Sequence, residues 1–373
     1  MKGYYLFAPM EPENLGPHSG VERKVRAQHK ALSQSVDCDL VILPAVEYTG
    51  SKVEKIIRRL PFTAAWRKWE YKGEFNDADF LYIRQVYHDD SFVRYLRAIK
   101  TQNPSVKIVY EVPTYPYDQQ MAWSASSAPF LLKERINRKK VARLVDRIVT
   151  FYGQKSIWGV PCIPLMNGFD FSSAAMAERT PTDEIHMVSV AATAFWHGYQ
   201  YMIEGLRDYY ANGGKEKIIF HMVGNVLPEH AKMVKDYRLD DCVVFHGKLS
   251  GEELNKVYNQ CSLGINTLGP IKDGNPMSSS LKSREYAAFG LPIVSALPID
   301  YLPADYEYLY LVPATDEPIN IQGVVNYYHR VFDGKDRNAM SKIIRDNAKQ
   351  LCDMQITMKP VIEWLLQTKE SNE

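Results

Sequence analysis

Residues 278–296 read SSSLKSREYAAFGLPIVSA and combine a helix signal with a strand signal. Lys282 and Glu285 lie near the start of the helix, three residues apart, so both can share one face. Gly290 and Pro292 are the expected stop signals of a helix, and the apolar residues that follow predict a buried strand. A helix followed directly by an apolar strand is typical of α/β proteins.

The same alternation continues on both sides of this segment. Strand-like apolar runs lie at residues 4–8, 40–43, 80–83, 107–112 and 147–151, and helical patterns lie at 21–34, 92–101 and 131–144. A second series has strands at 186–191, 218–223, 243–246, 263–265 and 293–295, with helices at 199–210, 228–237, 250–260 and 280–289. The pattern predicts an α/β fold of two Rossmann-like, doubly wound parallel-sheet domains that face each other across a cleft.

The polar segment 171–184 separates the two series and predicts a domain boundary. We expect an N-terminal domain over 1–175 and a C-terminal domain over 176–350. Residues 351–373 hold a last helical pattern, expected to pack back toward the N-terminal domain. With 373 residues, the chain is long enough for two domains that each bury a core.

Composition argues against several partners and locations. Because 45 basic side chains face 44 acidic ones, no global charge favours nucleic acid as a partner. The five cysteines are scattered, without the spacing of a zinc site or a disulfide framework, which suits reduced thiols in the cytoplasm. The apolar run within residues 1–9 is too short for the hydrophobic region of a signal peptide, and no later run approaches 18 residues, so we expect neither a signal peptide nor a membrane span.

The segment 278–296 resembles the signature of glycosyltransferase family 4, whose members are retaining enzymes of the GT-B fold. Glu285 matches the second glutamate of that signature, which implies that its carboxylate accepts hydrogen bonds from the donor ribose. Ser279, Ser280 and Lys282 are then the candidate contacts of the donor phosphates, through an N-cap and first-turn N–H groups. The alternative for the Lys282 and Glu285 pair is an exposed ion pair on a solvated helix.

Met277 stands where the family has its first glutamate, which holds the hydroxyls of the donor sugar. If the resemblance holds, Asp273, Asn275 or the backbone of 276–278 would take over that contact.

Two further parts of the second domain agree with the resemblance. Residues 189–206 (SVAATAFWHGYQYMIEGL) resemble the element in which a lysine meets the donor diphosphate, and His197 stands at the lysine position. A neutral histidine donates one hydrogen bond, so more of the phosphate binding would fall to Lys282. The alternative for His197 is a surface histidine. Gly224 and Gly247 match glycines that end strands and let the backbone approach the nucleotide base.

In the first domain, the loop 14–20 (NLGPHSG) resembles the glycine-containing loop that approaches the diphosphate or sugar. Gly20 is the candidate contact, and His18 is a weaker one. Residues 107–118 (KIVYEVPTYPYD) resemble the element that faces the acceptor, where relatives carry a histidine. Glu111, Thr114 or Asp118 would orient the acceptor in its place, the alternative being a structural turn.

A basic, aromatic stretch covers residues 58–72 and includes Trp66 and Trp69. Its composition suits docking on an anionic membrane face, as a lipid-linked acceptor requires. The alternative is a helix whose tryptophans pack on the first domain.

The resemblance implies a retaining, hexosyltransferase-like enzyme of cell-surface polysaccharide biosynthesis. It would move sugar from a UDP- or GDP-sugar to a saccharide or lipid-linked saccharide, with Glu111, His197 and Lys282 as catalytic residues. No metal or other cofactor is expected, and the expected location is cytoplasmic with peripheral contact at the inner membrane face. The alternatives are a nucleotide-sugar epimerase and a non-catalytic nucleotide-sugar-binding protein.

Overall fold

The computed structural model describes residues 1–9, 15–16, 19–45, 51–60, 62–121, 127–176, 182–194, 197–269 and 277–370. Internal contacts divide the chain into two compact units: unit 1 is Met1–Met166 with Thr357–Glu373, and unit 2 is Asn167–Ile356. The domain limits expected from the sequence, 1–175 and 176–350, stay a prediction. Four candidate residues, His18, Asp273, Asn275 and Pro276, lie outside the described residues.

Unit 1 is an α/β unit built on one sheet. Its strands are β1 (Lys2–Phe7), β2 (Asp37–Ile42), β3 (Phe80–Arg84), β4 (Lys107–Val112), β5 (Arg147–Thr150), β6 (Ser156–Ile157) and β7 (Val160–Pro164). They follow the order β2-β1-β3-β4-β5-β7-β6, and only the pair β6–β7 is antiparallel. Its helices are α1 (Gly20–Ser33), α2 (Lys52–Ile57), α3 (Asp90–Gln102), α4 (Asp118–Met121) and α5 (Ala128–Ala142).

Unit 2 has the same construction. Its strands are β8 (Glu184–Ala192), β9 (Lys217–Asn225), β10 (Val243–Gly247), β11 (Leu263–Ile265), β12 (Ile293–Ser295) and β13 (Leu309–Leu311), all parallel, in the order β10-β9-β8-β11-β12-β13. Its helices are α6 (Tyr199–Ala211), α7 (Pro228–Asp236), α8 (Gly251–Gln260), α9 (Leu281–Ala288), α10 (Ile321–Phe332) and α11 (Arg337–Cys352). Helix α12 (Met354–Glu370) follows, and its residues from Thr357 on belong to unit 1. The predicted α/β class with two parallel sheets is confirmed.

Helix α3 illustrates how the local sequence forms these elements. The carboxylate of Asp89 accepts a hydrogen bond from the N–H of Phe92 at 3.0 Å and so caps the first turn. Phe92, Leu96 and Ile99 recur at helical spacing and are buried. Strand β3 beside it is buried at four of its five positions, as expected for a parallel strand covered on both faces.

Helix α2 ends at Ile57, and the described residues of the basic, aromatic stretch 58–72 form no helix. Trp69 lies in the core of unit 1, and Trp66 packs against that core. The alternative interpretation of this stretch was therefore right that the tryptophans pack on the first domain and wrong that they do so from a helix.

The five cysteines are free thiols. Within the described part of the chain, no helix is long and apolar enough to cross a bilayer. No cluster of three His, Cys, Asp or Glu side chains among the described residues is arranged to hold a metal ion.

A row of three histidines crosses adjacent strands in unit 2, and no sequence pattern indicated it. His186 on β8, His221 on β9 and His246 on β10 are joined by hydrogen bonds of 2.9 Å between ring nitrogens. The row begins at Glu184, whose carboxylate lies 3.1 Å from Nε2 of His186. Burial, with His186 and His246 close by, lowers the pKa of His221 from 6.5 to about 4. The folded protein therefore holds His221 neutral.

Acid should destabilise unit 2 through this row. A folded-state pKa below the unfolded value means that the unfolded chain takes up the proton first, so stability is complete above pH 6.5 and falls between pH 6.5 and about 4. We expect His221→Gln to reduce the slope of unfolding free energy against pH in that window, by roughly 1 kcal/mol per pH unit. Urea unfolding at several pH values measures it. His329→Gln is the control, because the pKa of His329 is raised by its hydrogen bond to Asp333. Equal slopes for His221→Gln and the unsubstituted protein would contradict the expectation.

Candidate functional site

The loops that follow β8 and β11 meet at the carboxyl edge of the unit 2 sheet, where open parallel sheets bind ligands. The carbonyl of His197 accepts a hydrogen bond from the N–H of Leu268 at 2.8 Å. Gly198 has a φ of +71°, and a Cβ there would lie 2.2 Å from the nitrogen of Gly269. Glycine at 198 therefore allows the two loops to touch.

His197 is half-buried against Tyr199, with ring centroids 5.3 Å apart and planes within 8°. Burial and the nearby Lys282 lower the pKa of His197 to about 3, so the ring is neutral. Its Nδ1 accepts a hydrogen bond from the N–H of Ala194 at 3.1 Å. The ring proton therefore sits on Nε2, which is the single donor of this side chain. The alternative of a solvated surface histidine is wrong.

Lys282 lies in the first turn of α9 and is buried. Its Nζ donates to the hydroxyl of Tyr199 at 3.1 Å and lies 5.3 Å from the centre of that ring. Burial lowers the pKa of Lys282 from 10.5 to about 7. No carboxylate of the described chain forms an ion pair with it, so an anion bound beside Nζ would restore its full charge.

Glu285 lies one turn further along α9 and is only 7% exposed. Lys282 on the same helix is only 8% exposed. The alternative of an exposed ion pair on a solvated helix is therefore wrong, and both side chains belong to a buried polar region. A helix that buries lysine, arginine and glutamate on all sides needs specific polar partners.

The serines before α9 are held by protein partners. Ser280 is the N-cap: its Oγ accepts from the N–H of Ser283 at 3.4 Å and donates to Oδ1 of Asn266 at 2.8 Å. Oγ of Ser279 donates to Oδ2 of Asp300 at 2.7 Å and accepts from Asn167 at 3.2 Å. The hydroxyls of Ser279 and Ser280 therefore fix the loop. For an anion, α9 offers the first-turn N–H groups of Leu281 and Lys282, which have no acceptor within the helix, whereas that of Ser283 is capped by Ser280.

Arg284 is a positioning residue that sequence reasoning missed. Its side chain is completely buried and forms an ion pair with Asp300 at 2.6 Å. The same guanidinium donates to the carbonyls of Asn167 at 2.6 Å and Ser280 at 3.0 Å. It therefore ties the serine run, α9 and the loop after β12 together. The sequence signal that could have indicated this role is an arginine between Lys282 and Glu285, in a helix that has no separate polar face.

Gly224 and Gly247 lie at the carboxyl ends of β9 and β10, on the same edge of the sheet. Gly224 has a φ of +120°, and a Cβ there would lie 1.8 Å from the carbonyl oxygen of Ala191. Strand packing alone thus requires glycine at 224. Gly247 has a φ of +68°, and the space that a Cβ would occupy there is open, so only its backbone conformation favours glycine.

Unit 1 carries a separate cluster around Glu111, at the carboxyl end of β4. This carboxylate is fully buried, and it accepts hydrogen bonds from Arg84, from Tyr82 at 2.5 Å and from Gln28 at 2.7 Å. Nζ of Lys24 lies 3.5 Å away. Burial acts to raise the pKa of Glu111, but Lys24 and Arg84 outweigh it, so the pKa stays below its ordinary value. Glu111 is ionised and enclosed by its partners, so direct contact with an acceptor, as the sequence suggested, does not fit.

The other unit 1 candidates are partly explained by local structure. Gly20 is the first residue of α1, after the N-cap Ser19, and no atom lies within 4 Å of where its Cβ would be. Packing within the protein therefore does not require glycine there. Asp118 on α4 forms ion pairs with Arg135 at 2.7 Å and Arg138 at 2.8 Å. These ion pairs favour the structural alternative for Asp118.

Comparison with known proteins identifies the fold. The sequence matches no protein-family model and no curated protein. A glycosyltransferase from Rickettsia africae ESF-5 has a similar structure, with a TM-score of 0.63 at 10% sequence identity, covering 98% of both chains. Sucrose-phosphate synthase from Thermosynechococcus elongatus gives a TM-score of 0.61 at 13% identity, covering 98% of this chain and 100% of that one. HepE from Anabaena in complex with UDP gives 0.60 at 13% identity, with the same coverage. Likeness at this level of identity establishes the fold, and this chain has the α/β GT-B fold with two Rossmann-like units.

Proposed function

We propose that the protein is a glycosyltransferase that moves a sugar from a nucleoside diphosphate sugar, bound by unit 2, to an acceptor hydroxyl bound by unit 1. The observation that carries this proposal is Lys282, a buried lysine without an acidic partner among the described residues, in the first turn of α9. A helix N-terminus and a cation together form a binding site for phosphate. The donor is a UDP- or GDP-sugar, and the acceptor is a saccharide or a lipid-linked saccharide.

The proposed chemistry is stabilisation of the leaving diphosphate. As the bond between sugar and phosphate breaks, negative charge grows on the phosphate oxygens. Lys282, the first-turn N–H groups of α9 and Nε2–H of His197 are held in place before the reaction by their contacts within unit 2. Donors fixed in this way stabilise the transition state without the cost of reorganisation.

Three residues are assigned to the nucleoside. Glu285 would accept hydrogen bonds from the ribose hydroxyls, and the backbone at Gly224 and Gly247 would approach the base. Gly224 and Gly247 lie at the carboxyl ends of β9 and β10, and Glu285 lies on α9, which begins beside that edge of the unit 2 sheet. The solved structures of HepE with UDP and with UDP-glucose support a nucleotide-sugar donor for this fold.

The finer assignments follow the resemblance to glycosyltransferase family 4. They are retention of anomeric configuration, a hexosyltransferase-like specificity, a role in cell-surface polysaccharide biosynthesis and a cytoplasmic location. The structure of WaaG, a glycosyltransferase involved in lipopolysaccharide biosynthesis, is consistent with that role and has a TM-score of 0.60 at 11% identity. On the acceptor side we assign Glu111 to positioning Lys24 and Arg84, because its carboxylate is enclosed.

Glu285→Ala tests the ribose assignment. We expect affinity for UDP or GDP to fall at least about tenfold, since an acceptor of two ribose hydroxyls contributes roughly 1.5 to 3 kcal/mol. Isothermal titration calorimetry measures the change. The matched control is Glu253→Ala, which removes an exposed glutamate from α8 and should leave affinity unchanged. Equal affinities of Glu285→Ala and the unsubstituted protein would remove Glu285 from the site.

A further inference from the structure

Exposed apolar side chains are concentrated on one part of unit 1. Among the described residues, 13 large hydrophobic side chains are exposed, and seven of these lie in residues 53–62 and 132–136. Phe62 is 71% exposed, Val53 64%, and Ile56 and Leu132 each 60%. Isolated exposed apolar residues are ordinary, but a contiguous group is typical of an interaction surface.

The two segments form one surface. Nζ of Lys133 on α5 donates to the carbonyl of Arg58 at 2.8 Å and to that of Thr63 at 3.0 Å. Nζ of Lys140, further along α5, lies 6.0 Å from the centre of the Phe62 ring. Helix α2 and the turn after it are therefore fixed against α5. We call residues 52–60, Phe62 and the exposed face of α5 the apolar-basic patch.

This patch also concentrates positive charge. Residues 52–60 contain four basic side chains and one acidic one, and the exposed surface along α5 adds Arg135, Lys139 and Arg143. The whole chain is nearly balanced, with 45 basic and 44 acidic side chains. Beside α5, Asp118 pairs with Arg135 and Asp90 pairs with Lys140, so the positive charge lies mainly on residues 52–60, Lys139 and Arg143. The patch is thus apolar and cationic on a protein that is neutral overall.

Helix α5 shows how the two properties are combined. Its exposed residues recur at helical spacing and form one stripe in which leucine and isoleucine alternate with arginine and lysine: Leu132, Arg135, Ile136, Lys139 and Arg143. Apolar side chains and Lys or Arg therefore share one exposed surface, which is what docking on an anionic bilayer needs.

We propose that the apolar-basic patch docks unit 1 on an anionic lipid bilayer. The exposed Ile56, Phe62 and Leu132 would enter the boundary between headgroups and acyl chains, while Arg59 and Lys139 pair with anionic headgroups. A symmetric contact between two copies is disfavoured, because an isologous interface would place this basic surface against itself. The proposal rests on exposure and charge and is independent of the proposed sugar transfer.

Vesicle co-sedimentation tests the proposal with the full chain. We expect binding to vesicles of phosphatidylcholine with phosphatidylglycerol, no binding to phosphatidylcholine alone, and weaker binding as salt rises. Arg59→Gln with Lys139→Gln should weaken binding about 25-fold, since each Lys or Arg near an anionic surface contributes roughly a factor of five. Phe62→Ser with Ile56→Ser should weaken it further. These four side chains are at or near the surface, so the variants should fold normally.

Ile343→Ser is the matched control, because Ile343 on α11 is an apolar residue 54% exposed in unit 2. It should bind anionic vesicles as the unsubstituted protein does. Absence of binding to anionic vesicles would overturn the proposal, as would equal binding by the patch variants. A dimer in light scattering that Phe62→Ser disperses, without vesicle binding, would assign the patch to self-association and also overturn it.

Discussion

Lys282→Met is expected to remove nucleoside diphosphate binding while the protein stays folded. Lys282, in the first turn of α9, is the buried cation that we assign to the diphosphate. Truncating one partner of a buried charge pair typically costs about 2 to 5 kcal/mol. Affinity for UDP or GDP should therefore fall by at least about 30-fold. Titration calorimetry measures it, with Lys256→Met on the exposed face of α8 as the control. Retained affinity in Lys282→Met would contradict the proposed phosphate site.

The same substitution should stabilise the protein without nucleotide. Lys282 has a folded-state pKa of about 7 against 10.5 for an ordinary lysine, so the unfolded chain holds the proton more tightly. Its burial therefore destabilises the fold increasingly as pH falls from 10.5 toward 7, and methionine of similar length removes that effect. Thermal unfolding near pH 7.5 should give a higher midpoint for Lys282→Met. A lower midpoint would show that Lys282 serves the fold.

Nucleotide affinity should also depend on pH through Lys282. Above pH 7 the free protein holds Lys282 largely neutral, and binding of the diphosphate requires the charged form. Affinity should then fall as pH rises from about 7 to 9, by up to about tenfold per pH unit, with uptake of one proton on binding. Calorimetry in two buffers of different ionisation enthalpy counts that proton. In Lys282→Met the dependence should disappear.

Glu111→Leu is expected to destabilise unit 1 strongly. Glu111 is the carboxylate that pairs with both Lys24 and Arg84, and these cations are themselves nearly buried. Removing one partner from a buried ion-pair network typically costs about 3 to 5 kcal/mol, because uncompensated charge remains. Lys24→Met should cost less, since Arg84 still neutralises the carboxylate. Urea unfolding measures both, and coupling between the two substitutions should appear in the double variant.

Glu70→Gln is the control for Glu111→Leu. Glu70 lies on the surface of unit 1 and pairs with the exposed Lys68, and such pairs contribute little to stability because solvent screens them. The contribution of Glu111 should persist above pH 4.5 and fade as pH drops through its lowered folded-state pKa. A loss below about 1 kcal/mol in Glu111→Leu would contradict the account of this cluster.

The buried strands were predictable because their sequences leave few choices. Strands β4, β11 and β12 have the bounds expected from their apolar runs, which end at turn residues or charges. No element was predicted for residues 297–350, which contain β13, α10 and most of α11. Strand β13 has three residues, too few to show a period, although α10 is amphipathic enough to have been predicted. The hairpin β6–β7 was missed because its turn uses Trp158 at a φ of 51°, which turn propensity does not suggest.

The site was predictable only where one segment contains it. The N-cap at Ser280, the first-turn lysine and the end of α9 follow from residues 278–296 alone. The partners that hold this segment, Asn167, Asn266 and Asp300, lie outside it, and no local pattern connects them to it. Burial was equally hidden: His197 and Glu111 have ordinary sequence surroundings, while their charge states depend on long-range packing.

The central claim, sugar transfer from a nucleotide sugar, is tested most directly by turnover of a donor panel. The folded protein is incubated with UDP- and GDP-sugars, with and without saccharide acceptors, and release of nucleoside diphosphate is measured together with the sugar product. We expect release from at least one donor, faster with acceptor, and none from Lys282→Met. Conversion of the free nucleotide sugar without release would indicate an epimerase, and binding without turnover would indicate a non-catalytic protein. Either result, or the absence of both binding and release for every donor, would contradict the account.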